Sequence, residues 1–249
     1  MKPAAFELTT PADLAAASAL LATPDARAMG GGQSLGPMLN LRAARPALVV
    51  PLARLAALQG AETTAEAVTL GAATTHAAIA DGRTPDFGGV LARIAGGIAY
   101  RAVRNRGTIG GSLCHADPAA DWLTTLTALN AVLLTTRRAV PLDRFVTGPY
   151  RTVLEPGEIV RAIRIPRPAA GCGYHKLCRK PGEFAHAMAA ALAEPRRLVI
   201  GAVGGPPILL TGGQASVDGA RDALGFLDPV ARHIQLVAVA RALQEAASA

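Results

Sequence analysis

The sequence predicts an α+β fold, with an α/β part at the N-terminus and a smaller α+β part beyond about residue 168. Two observations lead there. Short apolar runs with strand-like alternation are interleaved with short helix-like runs, and many of the 26 glycines and 18 prolines punctuate them as turns. The composition then shifts across Pro166 to Gly173, where the last alternating run of the first part closes in Pro166-Arg167-Pro168. Hydrophobic residues make up 51% of the chain but aromatics only 4%, so the core must be built from Leu, Val, Ile and Ala in close backbone packing.

The elements can be justified in order. Phe6-Glu7-Leu8 is a short strand. Thr10 is placed to cap a helix, with Pro11 at its first position and Asp13 set for a capping box. Leu14, Ala17, Ser18 and Leu21 then share one helical face until Pro24-Asp25 breaks it. Ala26 to Met29 leads into the loop Gly30-Gly31-Gly32-Gln33-Ser34-Leu35. Ala47 to Val50 and Glu66 to Ala72 read as strands, Thr75 caps a helix through Ile79, and a longer helix covers Phe87 to Ala95. A second glycine-bearing loop spans Arg106 to Ser112. Ala131 to Leu134 and Ile159 to Ile165 are strands, the latter alternating as a sheet with one covered face requires. Tyr174 to Cys178, Arg197 to Val203 and Leu209-Leu210 supply strands of the second part. A helix from about Pro229 carries Ile234, Val237, Ala238 and Arg241 along one side. No internal repeat stands out.

Composition excludes several functions. No apolar run is long enough to span a bilayer. Lys2 is followed by no apolar stretch, so a secretory leader is not expected. Cys114, Cys172 and Cys178 are too few and too irregular for a disulfide framework, a zinc site or an iron–sulfur cluster of the chain's own, and a cytoplasmic location fits best. The net charge of +7 comes mostly from arginines set singly or in pairs. With so few aromatics, a solvated or partner-facing surface is favoured over a nucleic-acid groove.

The chemistry concentrates in two segments. Three consecutive glycines at 30 to 32 allow positive φ and close approach to a ligand, so that successive amides converge on an anion with the Ser34 hydroxyl. Thr108-Ile109-Gly110-Gly111-Ser112 has the same ingredients. Each alone is equally well a tight turn; together they suit a pyrophosphate. Neither is a P-loop or a spaced-glycine Rossmann turn. The polar run around the second segment, through Cys114-His115-Ala116-Asp117-Pro118, lacks apolar periodicity, as expected of a loop wrapping a ligand.

These segments resemble the flavin-binding medium subunit of the xanthine dehydrogenase and carbon monoxide dehydrogenase family, the molybdenum hydroxylases. The family's Ala-Gly-Gly-Gln-Ser-Leu loop stands here with Gly30 for the alanine. Arg104-Asn105-Arg106-Gly107-Thr108-Ile109-Gly110-Gly111-Ser112 and Asp117-Pro118-Ala119-Ala120-Asp121 follow in order. Glu158-Ile159-Val160 to Ile165-Pro166 is similar to the family's Glu-x-Leu strand, and Lys176, Arg179-Lys180 and Gly182 to Ala185 to a further segment. The resemblance implies a flavin fold of the p-cresol methylhydroxylase and vanillyl-alcohol oxidase type, with residues 1–168 binding FAD and residues 169–249 forming a C-terminal domain, shortened after Ala185. It implies that Gly30, Gly31, Gly32, Gln33, Ser34, Leu35, Thr108, Ile109, Gly110, Gly111 and Ser112 hold the FAD diphosphate and nearby atoms, with Asp121, Val160, Lys176 and Phe184 as further contacts. Asp121 equally suits a helix N-terminal charge, Val160 the core, and Phe184 simple packing. Lys176 reads as a lone cation beside the cofactor.

No acid–base pair is evident. His115 suits a hydrogen-bonding role in its loop and Cys114 a buried small residue. The resemblance further implies a large molybdopterin-binding partner and a small partner with two [2Fe–2S] clusters, assembled as a dimer of heterotrimers. Electrons would pass from those clusters through FAD to an external acceptor. A stand-alone flavin oxidoreductase of the same fold is the alternative, ahead of a redox-inactive nucleotide-binding module. Gly111→Val is expected to abolish flavin retention and to leave the fold largely intact.

Overall fold

The computed structural model describes residues 2–248. The chain runs β1 (Glu7–Leu8), α1 (Leu14–Leu21), β2 (Ala26–Met29), α2 (Leu35–Asn40), β3 (Leu48–Pro51), β4 (Ala61–Thr63) and β5 (Ala67–Gly71). Five helices follow: α3 (His76–Ala80), α4 (Val90–Gly96), α5 (Arg101–Arg104), α6 (Ile109–His115) and α7 (Asp121–Ala128). Next come β6 (Val132–Thr135), β7 (Ala139–Pro141), β8 (Val146–Gly148), β9 (Arg151–Thr152) and β10 (Val160–Pro166). The remainder is β11 (Cys172–Leu177), β12 (Ala187–Leu192), β13 (Arg197–Gly201), β14 (Ile208–Thr211), α8 (Val217–Ala223) and α9 (Pro229–Ser248).

The first sheet is parallel, ordered β1-β3-β2, and α1 packs on it through Ala17 with Leu14, Leu20 and Leu21 against Val50, Leu52 and Leu58. The cap of α1 differs from the sequence expectation. Thr10 to Ala12 stays outside the helix, and Asp13 is itself the N-cap, its Oδ1 accepting the Ala16 amide at 2.8 Å. A carboxylate at that position satisfies an orphan amide and complements the helix dipole, so Pro11 is not needed to start the turn. By contrast Thr75 caps α3 as expected, accepting from the Ala78 amide.

The second sheet is antiparallel, ordered β4-β5-β10-β6-β7, with α3, α4, α6 and α7 covering its inner face around Leu70, Leu91, Ile109, Trp122, Leu133 and Ile163. β8 and β9 form a separate hairpin. In β10 the predicted alternation is interrupted, because the register against β6 shifts between Val160 and Ala162. One extra residue turns the strand so that Ile159 and Val160 are both buried, in different clusters, while Arg161 points out.

The third sheet is an antiparallel meander, β11-β12-β13-β14, with α9 lying across it. Its second strand, Ala187–Leu192, was not foreseen, since an alanine-rich run has no strand signature. Every residue of β12 is buried because α9 covers one face and α7 the other. Approach is so close that a Cβ on Gly173 would fall on the α9 backbone at Ala242 and Ala246. That geometry also corrects the expected face of α9. The buried stripe is Gln235, Ala238, Val239, Ala242 and Ala246, whereas Ile234 and Arg241 lie outside it. Three of the five buried positions are alanines, which lets the helix lie close on the alanine strand, while Val239 and Gln235 fill the stripe between them. Glu245 ties this layer to the second sheet's helices, accepting from Arg93 of α4 at 2.6 Å and from the Tyr174 amide at 3.1 Å.

Glu158 anchors the entry to β10. Its carboxylate is buried and accepts from Arg138 at 3.0 and 2.9 Å, from the Thr135 hydroxyl at 2.7 Å and from the Glu155 amide at 3.1 Å. Burial alone would raise its pKa, but these donors outweigh it and hold the group at about 2 rather than 4.5. The group therefore contributes its full stabilisation above pH 4.5 and loses it as pH falls through about 2. Glu158→Gln is expected to destabilise the fold at neutral pH by roughly 1–3 kcal/mol, because charge-assisted hydrogen bonds to a buried carboxylate become neutral ones. Urea unfolding should show that deficit shrinking in acid, and a deficit unchanged between neutral pH and pH 2 would refute it.

Candidate cofactor site

The first glycine segment joins β2 to α2, and the second stands directly opposite. The pro-Cβ direction of Gly30 points at Thr108 Oγ1, 2.8 Å away, and at the Gly111 Cα, 3.5 Å away. A Cβ on Gly31 would strike the Arg106 carbonyl. Of the three glycines only Gly32 has positive φ, at 73°. Two of the three are thus demanded by backbone-to-backbone approach and one by conformation. Gln33 closes the loop by donating from Nε2 to the Gly31 carbonyl at 3.2 Å. Among the described residues no protein acceptor faces the amides of Gly31, Gly32, Gln33 and Ser34 or the Ser34 hydroxyl. Leu35 opens α2. These amides and this hydroxyl are donors that the protein itself leaves unused, and of them Gly31 lines the adjoining cavity.

The second segment is not a loop. Thr108 is the N-cap of α6, its Oγ1 accepting the Gly111 amide at 3.1 Å, and Ile109 to Ser112 are helical. Its amides are already used: Ile109 donates to the Thr74 carbonyl at 3.0 Å, Gly110 to Ala72 at 2.9 Å, and Ser112 to Thr108 at 3.0 Å. The expected second nest is therefore corrected to a wall. Its glycines exist because Gly110 lies against Ala72 and Gly107 against the ring of His76. The surrounding polar run likewise holds two helices, α6 and α7, since Ile109, Leu113 and Trp122 reach the core despite the lack of periodicity.

Asp121 begins α7 and is buried, where its charge meets the positive end of the helix dipole. It accepts from Lys176 Nζ at 2.9 and 3.2 Å and from the Tyr174 hydroxyl at 2.6 Å. Lys176 is consequently not a lone cation but half of a buried ion pair, its side chain 10% exposed. Burial, and then the Asp121 charge, push the Tyr174 phenol well above its ordinary value, so it stays a donor. Tyr174 was missed as a site residue. The signal was available, because residues two apart on a strand share a face. Val160 is buried in the main core, while Phe184 is 61% exposed, as is Tyr100 at 63%.

Five of the fifteen candidate residues line two cavities, and the other ten, from Gly32 to Leu35, from Ile109 to Ser112, and Val160 and Phe184, line neither. Gly30, Gly31 and Thr108 line one of about 480 Å³, with Arg54, Asn105 and Arg106. Asp121 and Lys176 line another of about 540 Å³, with Tyr100, Arg104 and Tyr174. The end of α5 separates them, Arg104 facing one side and Asn105 the other. Arg54 carries no motif and could not have been found from sequence. His115 does not hydrogen-bond as expected: its ring packs on Tyr150, centroids 5.1 Å apart. Burial pushes the Cys114 thiol up to about 12, which makes it inert as a nucleophile. Among the described residues no group of His, Cys, Asp and Glu could hold a metal ion.

Residues 4–168 match the family model described as the FAD binding domain in molybdopterin dehydrogenase. The nicotine 6-hydroxylase medium subunit of Paenarthrobacter nicotinovorans is 34% identical over 220 residues, covering 82% of this chain and 77% of that subunit. The carbon monoxide dehydrogenase medium chain of Hydrogenophaga pseudoflava is 38% identical over 200 residues, 75% of this chain and 68% of that one. A solved structure of carbon monoxide dehydrogenase from the same organism, lacking the Mo-pyranopterin moiety of its cofactor, superposes with a TM-score of 0.89 at 30% identity, covering 100% of this chain and 99% of that chain.

The wall makes one expectation about Gly111 untenable. A side chain there would meet Thr108 Oγ1 at 2.8 Å, the same oxygen that holds the Gly111 amide. Gly111→Val should therefore weaken the fold as well as the site, by at least the roughly 1 kcal/mol expected for Thr108→Ala, which deletes the cap alone. Thermal unfolding of both variants measures this; a Gly111→Val protein as stable as the parent would contradict the geometry.

Proposed function

The chain belongs to the family of FAD-binding medium subunits of molybdopterin dehydrogenases, and from that premise we propose that it works as the electron outlet of a molybdenum hydroxylase complex. It binds FAD. A large molybdopterin-bearing partner oxidises the substrate, a small partner with two [2Fe–2S] clusters carries the electrons here, and an external acceptor takes them away. The bound flavin supplies the ability to accept electrons singly and release them in pairs.

The residues present fit this cofactor. The observation that carries the reading is the cradle of unused amides at Gly31 to Ser34, set against a wall at Thr108 to Gly111 into which Gly30 admits no side chain. Donors without protein acceptors beside a cleft containing Arg54 and Arg106 suit a diphosphate. Gly30 to Leu35 would hold it from one side, while Thr108, Ile109, Gly110, Gly111 and Ser112 fix the opposite boundary. Asp121 would accept from hydroxyl groups of the ligand, with Lys176 and Tyr174 holding the carboxylate in place. Phe184, exposed beside no core, would cover apolar ligand surface, and Val160 would act through the strand it packs. In this reading no group of the chain transfers a proton to substrate.

We divide the chain functionally into an FAD-binding part, residues 1–168, and a C-terminal domain, residues 169–249. The exposed connection between Pro166 and Cys172 supports that division. Relatives named as medium chains and complex subunits support partner subunits, for which a dimer of heterotrimers is the proposed assembly. No helix among the described residues is long and apolar enough to cross a membrane. The unpaired cysteines favour the cytoplasm.

The full chain, purified and incubated with FAD, should take up about one flavin per chain, read as a yellow absorbance that dithionite bleaches. Ser34→Ala removes a hydroxyl that bonds to no protein group, so binding should weaken by about three- to tenfold with an unchanged melting temperature. Absence of flavin uptake by the parent chain at saturating FAD would refute the function.

A further inference from the structure

The wall at Thr108 to Gly111 is laid on a template, the segment Ala72 to His76. Carbonyls of Ala72 and Thr74 take the Gly110 and Ile109 amides, and Thr75 and Thr108 form an antiparallel bridge. His76 ends this template and is 5% exposed. Its peptide N–H donates to the Gly107 carbonyl at 2.9 Å. Its ring edge fills the place where a Cβ on Gly107 would sit, with Cδ2 and Nε2 at 2.8 and 3.1 Å from that position. On the other edge Nδ1 accepts the indole N–H of Trp122 at 3.1 Å.

Trp122 is fully buried and follows Asp121 directly, so one hydrogen bond links the wall of the first cavity to the residue after the carboxylate that lines the second. Burial, with the nearby charge of Arg104 as a lesser cause, pulls the imidazole pKa down to about 4. The ring is therefore neutral near pH 7, which leaves Nδ1 free to accept and puts the proton on Nε2. A charged imidazole could not accept from the indole.

We propose that His76 is a positioning residue for FAD: through its hydrogen bond with Trp122 it holds the Thr108–Gly111 wall and the Asp121–Lys176 pair at a fixed separation, and it does so without touching the cofactor. The inference rests on the FAD reading above. It explains why a glycine is needed at 107, outside the stretch that bounds the ligand, and why the chain's single tryptophan sits at the start of α7.

The test uses the full chain, with FAD affinity and Trp122 fluorescence read together at a temperature well below unfolding. His76→Leu fills the space but offers no acceptor; Trp122→Phe keeps the bulk but offers no donor. Each should weaken FAD binding about tenfold, the scale set by one buried hydrogen bond left unmade. The double variant should be little worse than either single, because both remove one interaction. His76→Asn, which returns an acceptor near the Nδ1 position, should recover much of the affinity, and Trp122 emission should shift in His76→Leu and move back in His76→Asn. A merely structural role would lower the melting temperature of His76→Leu and leave affinity within twofold of the parent. That result, in either single variant, overturns the proposal. If His76→Leu does not fold, Trp122→Phe decides alone. A parent chain that takes up no FAD overturns both readings, whereas a parent that binds FAD beside indifferent variants overturns this one only.

Discussion

Two stretches of main chain, at Gly30-Gly31 and at Arg106 to Gly111, meet with nothing but glycine α-carbons, one threonine hydroxyl and one carbonyl between them. Contact of this kind leaves no room for a Cβ at Gly30 or Gly31, and it can form only if each stretch is delivered by a rigid element. The first comes off the end of β2 in the parallel sheet. The second is pinned to the template after β5 in the antiparallel sheet. The contact therefore fixes how two separately built sheets stand relative to one another, and the cradle of unused amides is a by-product of that fixing. Preorganised donors of this sort bind an anion without a cost for reordering the backbone at the moment of binding.

Charge is managed differently at the second cavity. Asp121 and Lys176 neutralise each other there, with Tyr174 supplying one more hydrogen bond to the carboxylate. Burying such a pair gains little stability over an apolar substitute. What it secures is direction: a carboxylate held by a helix start, an ammonium and a phenol has one orientation at the edge of the cleft. A free lysine would have offered a mobile positive charge; the pair offers a fixed acceptor.

Most of what was legible from sequence rested on local physics, although the cap of α1, just as local, sits at Asp13 and not at Thr10. Thr75 capping α3, the strand at Ala67–Gly71 and the start of α9 all depend on neighbours a few residues away. The order and spacing of the glycine segments were equally readable, and so was the family. What stayed hidden depended on distant partners. Nothing near Ile109 or Gly110 reveals that carbonyls of Thr74 and Ala72 consume their amides, so a helix start passed for a second nest. The alanines of β12 have no strand signature, because their role is to let α9 come close rather than to fill space. Lys176 looked solitary because its partner lies 55 positions away in the chain. Ile234 looked like core because a helix pattern says which residues are apolar, not which layer is too tight to receive them.

The alanine-on-alanine contact between α9 and its sheet has a thermodynamic corollary. The alanine methyls bury little area apiece and gain mainly from dense dispersion contacts, while Leu198, Ile200, Leu224 and Val239 around them supply the apolar area withdrawn from water. The heat-capacity increment released on melting it would come mostly from those larger side chains, the alanines adding little. The cohesion of the C-terminal layer thus has two sources, fit along the alanine strip and rejection by water at its branched neighbours.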